Sequence, residues 1–209
     1  MIRAAVLGLA VLSAGCSPGV GGPATSVSSG LHDAPDDTAF QGMGLEPPQP
    51  RPSFRLRDTS GAAYDFGRRT RGRLTLLYFG YTTCPDICQY TMADIAVALQ
   101  QAPKEIASRT DVVFVTTDVK HDSPAVIRHW LDQFDKTLPT RFIGLTGEQI
   151  GIDTAQVAAH VPLADSDGHR HASEILLYGR DDYARVAFLQ SDDQVSQLVH
   201  DLQIVAGRP

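Results

Sequence analysis

The sequence lacks the features that would indicate a nucleic-acid partner or a membrane-spanning domain. Its 209 residues carry 18 Lys and Arg against 24 Asp and Glu, a formal net charge of −6, and the basic residues form no cluster. Binding of nucleic acid depends on a concentrated basic surface, so no nucleic acid is expected as a partner. The apolar run at residues 4–12 is too short to span a bilayer by itself.

Cysteine is scarce, since only Cys16, Cys84 and Cys88 occur. The first sixteen residues, MIRAAVLGLAVLSAGC, place one positive charge before an apolar run and small residues before Cys16. This layout predicts an export signal at residues 1–16 whose end resembles a bacterial lipobox, with Cys16 as the lipidated residue. The protein is therefore expected on the outer face of the cytoplasmic membrane, held there by a lipid anchor. The remaining two cysteines would then lie outside the cytoplasm, where thiols oxidise unless they are kept reduced.

Residues 17–50 are rich in Pro, Gly and Ser, contain no Lys or Arg, and show little apolar periodicity. Such a composition buries too little apolar surface to offset the entropy of ordering the chain. We therefore predict a flexible tether over residues 17–50.

After residue 50 the pattern changes to alternating strands and helices. Strands are predicted at 53–58 and 62–66, which form a hairpin around Gly61, and at 74–81, 111–118 and 141–147, with a strand, turn and strand over 173–190. Helices are predicted at 85–109, broken near Pro103, and at 123–134, 148–161 and 192–207. The order predicts one α/β domain at residues 51–209, a central sheet flanked by helices with an N-terminal hairpin.

Cys84 and Cys88 lie four positions apart in YFGYTTCPDICQY, at the start of a predicted helix with Pro85 as its first residue. Residues at i and i+4 share one helix face, and the positive end of a helix stabilises thiolates. The spacing leaves three interpretations open: a metal site, a redox couple and a plain disulfide. Two soft sulfurs suit Cu(I) and also Zn(II), but a third ligand would have to come from elsewhere.

Histidine is the natural third ligand, and three histidines are candidates. His169 and His171 lie in a polar loop that leads into a strand, from which a side chain can reach the site. His121 follows the strand predicted to lie beside the cysteine-bearing one. The spacing favours the pair at 169 and 171, and leaves two alternatives: His121 as the third ligand, or no histidine ligand at all.

Three segments resemble the Sco (SenC) family, the copper-binding proteins of cytochrome oxidase assembly. YFGYTTCPDICQYTM is similar to the family's cysteine motif, TTDVKHDSP to its aspartate-bearing second motif, and HASEILLYGRDD to its third, in which a histidine leads into the penultimate hairpin. The resemblance covers residues 50–206, with the three motifs in order. The chain departs from it at Gln89 and Val119, where the family usually has Pro, and at Arg170, where Asp is common.

The resemblance implies a thioredoxin-like fold with a mixed sheet, and copper, as Cu(I) or Cu(II), bound by Cys84, Cys88 and His171. It implies that Asp118 and Asp122 shape the site around these ligands. The implied role is that of a copper chaperone rather than an enzyme, which delivers copper to the binuclear centre of a terminal oxidase or prepares the cysteines of that centre. The implied partners are the copper-centre subunit of the oxidase and another copper chaperone.

Two enzyme-like alternatives remain open at this point. A thiol–disulfide reductase would use Cys84 and Cys88 as a redox-active pair without metal transfer, with Cys84 as the attacking thiol. A peroxiredoxin-like peroxidase also places a cysteine after an aromatic strand at a helix start, but it needs an arginine near that cysteine and no histidine ligand.

Overall fold

The computed structural model describes residues 40–208. The predicted export signal, the lipidation site at Cys16 and residues 17–39 of the predicted tether lie outside the described residues. No helix among residues 40–208 is both long enough and apolar enough to cross a membrane.

An eight-stranded mixed sheet forms the centre of the domain. Its strands are β1 (Met43–Pro50), β2 (Arg55–Asp58), β3 (Ala63–Asp65), β4 (Leu74–Gly80), β5 (Thr110–Thr116), β6 (Ile143–Thr146), β7 (Ile175–Tyr178) and β8 (Tyr183–Phe188), in the spatial order β1-β8-β7-β4-β5-β6-β2-β3. The neighbours β4, β5 and β6 are parallel, and every other pair is antiparallel. The predicted mixed sheet and the hairpin of β2 and β3 are confirmed.

Helices cover both faces of the sheet. They are α1 (Phe66–Arg69), α2 (Ile87–Gln101), α3 (Lys104–Ala107), α4 (Pro124–Asp135), α5 (Gln149–Ala158) and α6 (Gln194–Gly207). Side chains of α2, α4 and α6 pack in one apolar core, while α1, α5 and the β2–β3 hairpin pack in a second core on the opposite face. Strand β4 is buried on both faces because Leu76 and Tyr78 enter the first core and Leu77 and Phe79 enter the second.

The helix boundaries follow local signals, with one correction. Helix α4 begins as predicted, because the Ser123 hydroxyl accepts a hydrogen bond from the N–H of Val126 and Pro124 occupies the first turn. Helix α2 begins at Ile87 rather than at Pro85, and residues 82–86 form the turn that leaves β4. Cys84 therefore lies outside the regular helix, and Cys88 lies in its first turn.

The predicted tether is wrong at its carboxyl end, because residues 43–50 form strand β1 at one edge of the sheet. β1 pairs with β8, and the backbone N–H groups of Gln41 and Gly42 donate to the buried carboxylate of Asp201 at 2.9 Å. A proline-rich segment is tolerated there because an edge strand needs hydrogen-bond donors on one side only. The partner strand lies more than 130 residues away, so local composition could not reveal the pairing.

Candidate metal centre

The candidate site lies at one edge of the sheet because of how three strands are paired. β4 and β5 run parallel and end at this edge, while β7 runs antiparallel to β4 and therefore begins there. The turn after β4 carries Cys84, the turn after β5 begins with Thr117 and Asp118, and the loop before β7 carries His171. Residues that are about 90 positions apart in sequence thus meet in space.

Cys84, Cys88 and His171 form a compact group of three donors. Their Sγ and imidazole nitrogen atoms all lie within 4.8 Å of one another. The Nε2 atom of His171 lies 3.4 Å from the Sγ atom of Cys88, and the N–H of Cys88 donates to the Sγ atom of Cys84 over 3.4 Å. Both cysteines of the described chain are free thiols.

The two thiols have opposite electrostatic environments. Partial burial by itself raises the pKa of Cys84, but hydrogen bonds from the backbone N–H groups of Asp86 and Cys88 outweigh it, and the pKa falls below its ordinary value of 9.0. Cys88 is fully buried, and desolvation raises its pKa to about 12. The helix start therefore stabilises a thiolate at Cys84 as predicted, but the same expectation is wrong for Cys88.

The ring of His171 is oriented as a metal ligand would be. Its Nδ1 atom lies 2.8 Å from the carbonyl oxygen of Ala172, to which it donates as N–H, so the lone pair of the neutral ring is on Nε2 and faces Cys88. Burial lowers the pKa of His171, which keeps the ring neutral. Tyr78 and Tyr81 contact the ring edge-on, with centroid distances of 6.2 and 5.6 Å, and fix its plane.

Gly80, at the end of β4, has no side chain, and this makes room for the thiol of Cys88. A Cβ atom at this position would lie 3.0 Å from the Sγ atom of Cys88 and 2.9 Å from the ring of Tyr78. A side chain at position 80 would push the thiol out of its present place.

Asp122 anchors the turn that carries Cys84. Its buried carboxylate accepts hydrogen bonds from the N–H and the hydroxyl of Thr82 and from the hydroxyl of Thr116, at 3.0, 2.5 and 2.6 Å. These bonds join the turn after β4 to the end of β5. Asp122 thus contacts the segment that bears Cys84.

Asp118 has different neighbours. Its carboxylate, 1% exposed, accepts from Nδ1 of His121 at 2.8 Å and contacts Nε2 of His169 at 3.2 Å. Burial alone would raise the pKa of Asp118, but hydrogen bonds from His121 and His169 outweigh it and the pKa is lowered. His121 and His169, two of the three candidates for the third ligand, therefore lie beside Asp118. Of the three candidate histidines, only His171 lies beside the thiols.

Sequence reasoning missed the residues that position the histidine loop. Gly168 has a φ of +76°, and a Cβ there would overlap the carbonyl of Thr117. The Thr117 hydroxyl donates to the carbonyl oxygen of Gly168 at 2.6 Å, and the ring of His169 stacks on Tyr81 at 4.6 Å. The one available signal was a glycine directly before the histidines, in DSDGHRH.

A set of two sulfurs and one neutral imidazole nitrogen suits a soft, low-coordinate ion such as Cu(I). The same two thiols are close enough to form a disulfide with each other if their sulfur atoms move together. They could therefore reduce a partner's disulfide by thiol–disulfide exchange. Both chemistries require the thiols to be reduced.

Comparison with known proteins gives a family match over most of the described chain. A family model described as SCO1/SenC matches residues 44–206. This region contains Cys84, Cys88 and His171, as well as both aspartates of the second motif.

An SCO2-like protein of Rickettsia felis is 36% identical over 99 residues, which cover 46% of this chain and 44% of that protein. The chain spans about half the length of the known relatives that it matches.

Solved structures confirm the thioredoxin-like α/β fold. ScoI of Bradyrhizobium japonicum, solved with copper bound, is 27% identical with a TM-score of 0.62, covering 74% of this chain and 98% of that one. Yeast Sco1 with copper bound has a TM-score of 0.66 at 21% identity, covering 78% and 91%, and at that identity the likeness concerns the fold alone.

Proposed function

The chain belongs to the SCO1/SenC family, and from that premise we propose that it is a copper chaperone that holds its cargo through Cys84, Cys88 and His171. It delivers copper to the binuclear centre of a terminal cytochrome oxidase, or prepares the cysteines of that centre. The partner is then the copper-centre subunit of the oxidase, and a second chaperone is the source of the metal.

One observation carries this proposal. The Nε2 atom of His171, whose lone pair is set by the bond from Nδ1 to Ala172, lies 3.4 Å from the Sγ atom of Cys88. A histidine that served packing alone would not need to present its free nitrogen to a thiol. The copper-bound ScoI structure, 27% identical, supports copper as the ion.

The burial of the three ligands indicates the order in which a partner could displace them. Cys84 and His171 are partly exposed, while Cys88 is fully buried. Incoming partner thiolates would therefore replace Cys84 and His171 first and Cys88 last, so copper stays bound to at least one protein ligand throughout the exchange.

The direct test is Cu(I) binding by the purified full chain, measured in competition with a chelator of known affinity. We expect about one copper per chain, and loss of tight binding when Cys84, Cys88 or His171 is replaced by Ala. His129→Ala, an exposed histidine of α4, is the matched control and should bind as the wild type does. X-ray absorption of the loaded protein should count two sulfurs and one nitrogen. Unchanged affinity in His171→Ala would refute the third ligand.

Thiol–disulfide reduction of the partner's cysteines is the second candidate function. The lowered pKa of Cys84 favours it as the attacking thiolate, and Cys88 one turn away is placed to resolve the mixed disulfide. Metal-free reduced protein should then reduce an oxidised copper-centre domain, and Cys88→Ser should trap the mixed disulfide. Absence of both results would leave copper transfer as the function.

We further propose that the domain is exported and is anchored to the outer face of the cytoplasmic membrane through a lipid on Cys16. The support is the sequence of residues 1–16 alone. Incorporation of labelled fatty acid into the wild type but not into Cys16→Ala, expressed in a bacterium that processes lipoproteins, tests this location.

A further inference from the structure

A second cluster of metal-ligand side chains lies beside the copper ligands and shares none of them. It consists of Asp118, His121 and His169, whose carboxylate oxygen and ring nitrogen atoms all lie within 4.8 Å of one another. The Nδ1 atom of His121 lies 2.8 Å from Oδ2 of Asp118, and Nε2 of His169 lies 3.2 Å from the same oxygen.

These separations suit donors that share one metal ion. Bonds from a divalent transition metal to nitrogen or carboxylate oxygen are about 2.0–2.2 Å long, so two donors at right angles lie roughly 3 Å apart. The two distances to Asp118 bracket that value. A neutral imidazole that carries its proton on the other ring nitrogen presents a lone pair where the hydrogen bond now lies, so the same arrangement serves a metal ion.

The two histidines of the cluster are exposed to solvent, while the aspartate that they contact is buried. The side chains of His121 and His169 are 66% and 46% exposed, while the carboxylate of Asp118 is 1% exposed. The N–H of Asp118 donates to the hydroxyl of Thr116, which holds the backbone of Asp118 at the end of β5. Stacking on Tyr81 fixes the ring plane of His169. A bound ion would have three protein donors on one side and water on the other, an arrangement in which the remaining coordination positions stay available.

We propose that Asp118, His121 and His169 form a second metal site for a divalent transition-metal ion, with Cu(II) bound most tightly. Two imidazoles and a carboxylate form a donor set of intermediate hardness, which favours Cu(II) and Zn(II), whereas two thiolates favour Cu(I). Within the divalent series Cu(II) binds most strongly to such donors. The ring of Tyr81 contacts a histidine of each group, His169 at 4.6 Å and His171 at 5.6 Å.

The test uses the full chain with Cys16→Ser, Cys84→Ser and Cys88→Ser, because reduced thiols would react with Cu(II) and hide a second site. This background removes the sulfur ligands of the proposed copper cargo, so the result does not depend on the proposed function. Titration with Cu(II) should give one tight site, with nitrogen hyperfine structure in the EPR spectrum and no sulfur-to-copper charge-transfer absorption. Zn(II) should compete for it at higher concentration.

Variants made in this background test whether Asp118, His121 and His169 are the ligands of the second site. His121→Ala and His169→Ala should each weaken Cu(II) binding by about 10-fold or more, and Asp118→Asn should do the same. His129→Ala, in α4, should leave it unchanged. His121 is the decisive position, because its side chain is 66% exposed and it lies in the turn after β5 rather than in the loop that carries His169. Absence of a tight Cu(II) site, or a site insensitive to His121→Ala, overturns the proposal.

Discussion

The hydroxyl of Thr117 donates a 2.6 Å hydrogen bond to the carbonyl oxygen of Gly168, and this bond joins the end of β5 to the loop that carries His171. Gly168 permits the approach because it has no side chain and adopts a φ of +76°. The position of His171, the third proposed ligand, thus depends on Gly168, which is not itself a proposed metal ligand.

Gly168→Ala should weaken Cu(I) binding although all three ligands remain. The added Cβ would overlap the Thr117 carbonyl, so the loop must move and carry His171 with it. We expect about 10- to 100-fold lower affinity, as for other changes to residues that orient a ligand. Gly61→Ala is the matched control, since Gly61 also has a positive φ but has no neighbour within 4 Å of its would-be Cβ. It should be strained without any change in copper affinity, and equal losses in both variants would contradict the argument.

Cys84 should react with iodoacetamide before Cys88 in reduced, metal-free protein. Cys84 is partly exposed with a lowered pKa, while Cys88 is buried with a pKa of about 12. The thiolate is the nucleophile, so we expect Cys84 to react faster by on the order of 100-fold at pH 7. Its rate should rise with pH through a midpoint below pH 9, because its pKa lies under the ordinary 9.0.

Tandem mass spectrometry assigns the modified cysteine at each time point. In urea-unfolded protein the two thiols should react at similar rates, which serves as the control. Equal rates in the folded protein would show that the difference in burial and pKa is absent.

Asp122→Asn should destabilise the domain and loosen the turn at Cys84. The substitution places an amide N–H₂ where the carboxylate now accepts three hydrogen bonds, so at least one donor of Thr82 or Thr116 loses its partner inside the protein. We expect the free energy of unfolding to fall by about 1–3 kcal/mol in urea titrations. Asp192→Asn, at an exposed position, should change it by less than about 0.5 kcal/mol. An unchanged midpoint in Asp122→Asn would show that these bonds do not support the turn.

A chain that starts at residue 51 should be less stable than one that starts at residue 40. The shorter chain loses Phe40, which is 8% exposed and packs in the first core, together with strand β1. It also leaves the buried carboxylate of Asp201 without the N–H groups of Gln41 and Gly42. We expect a difference of about 3 kcal/mol or more in the free energy of unfolding. Equal stability would show that β1 contributes nothing to the domain.

The elements with strong local signals could be predicted from the sequence. The apolar run of β4, the Ser123–Pro124 start of α4 and the glycine-centred hairpin of β2 and β3 each follow from short-range chemistry, and the structure has all three. β1 could not be predicted because its prolines suggest a flexible segment, and its pairing with β8 is a tertiary contact.

The positions of the sulfur and nitrogen donors could also be predicted from the sequence. The burial of these groups and their neighbours in the fold could not. The four-residue spacing predicted a site at Cys84 and Cys88 but left the third ligand open, and the family resemblance then singled out His171, which the fold brings beside the two thiols. The contrast between the two thiols could not be predicted, because the burial of Cys88 depends on Gly80 and Tyr78 from another element. The placement of His121 and His169 beside Asp118 likewise depends on the path of the loop around Thr117.

The antiparallel pairing of β7 with β4 fixes where the chain re-enters the sheet, since Ile175 lies opposite Tyr78. The residues directly before Ile175 are therefore held beside the turn after β4, and the bond between Thr117 and Gly168 holds the loop a few residues upstream. Evolution or protein engineering can exchange the side chain at position 171, and with it the donor atom of the proposed metal site, while the scaffold beneath is left as it stands.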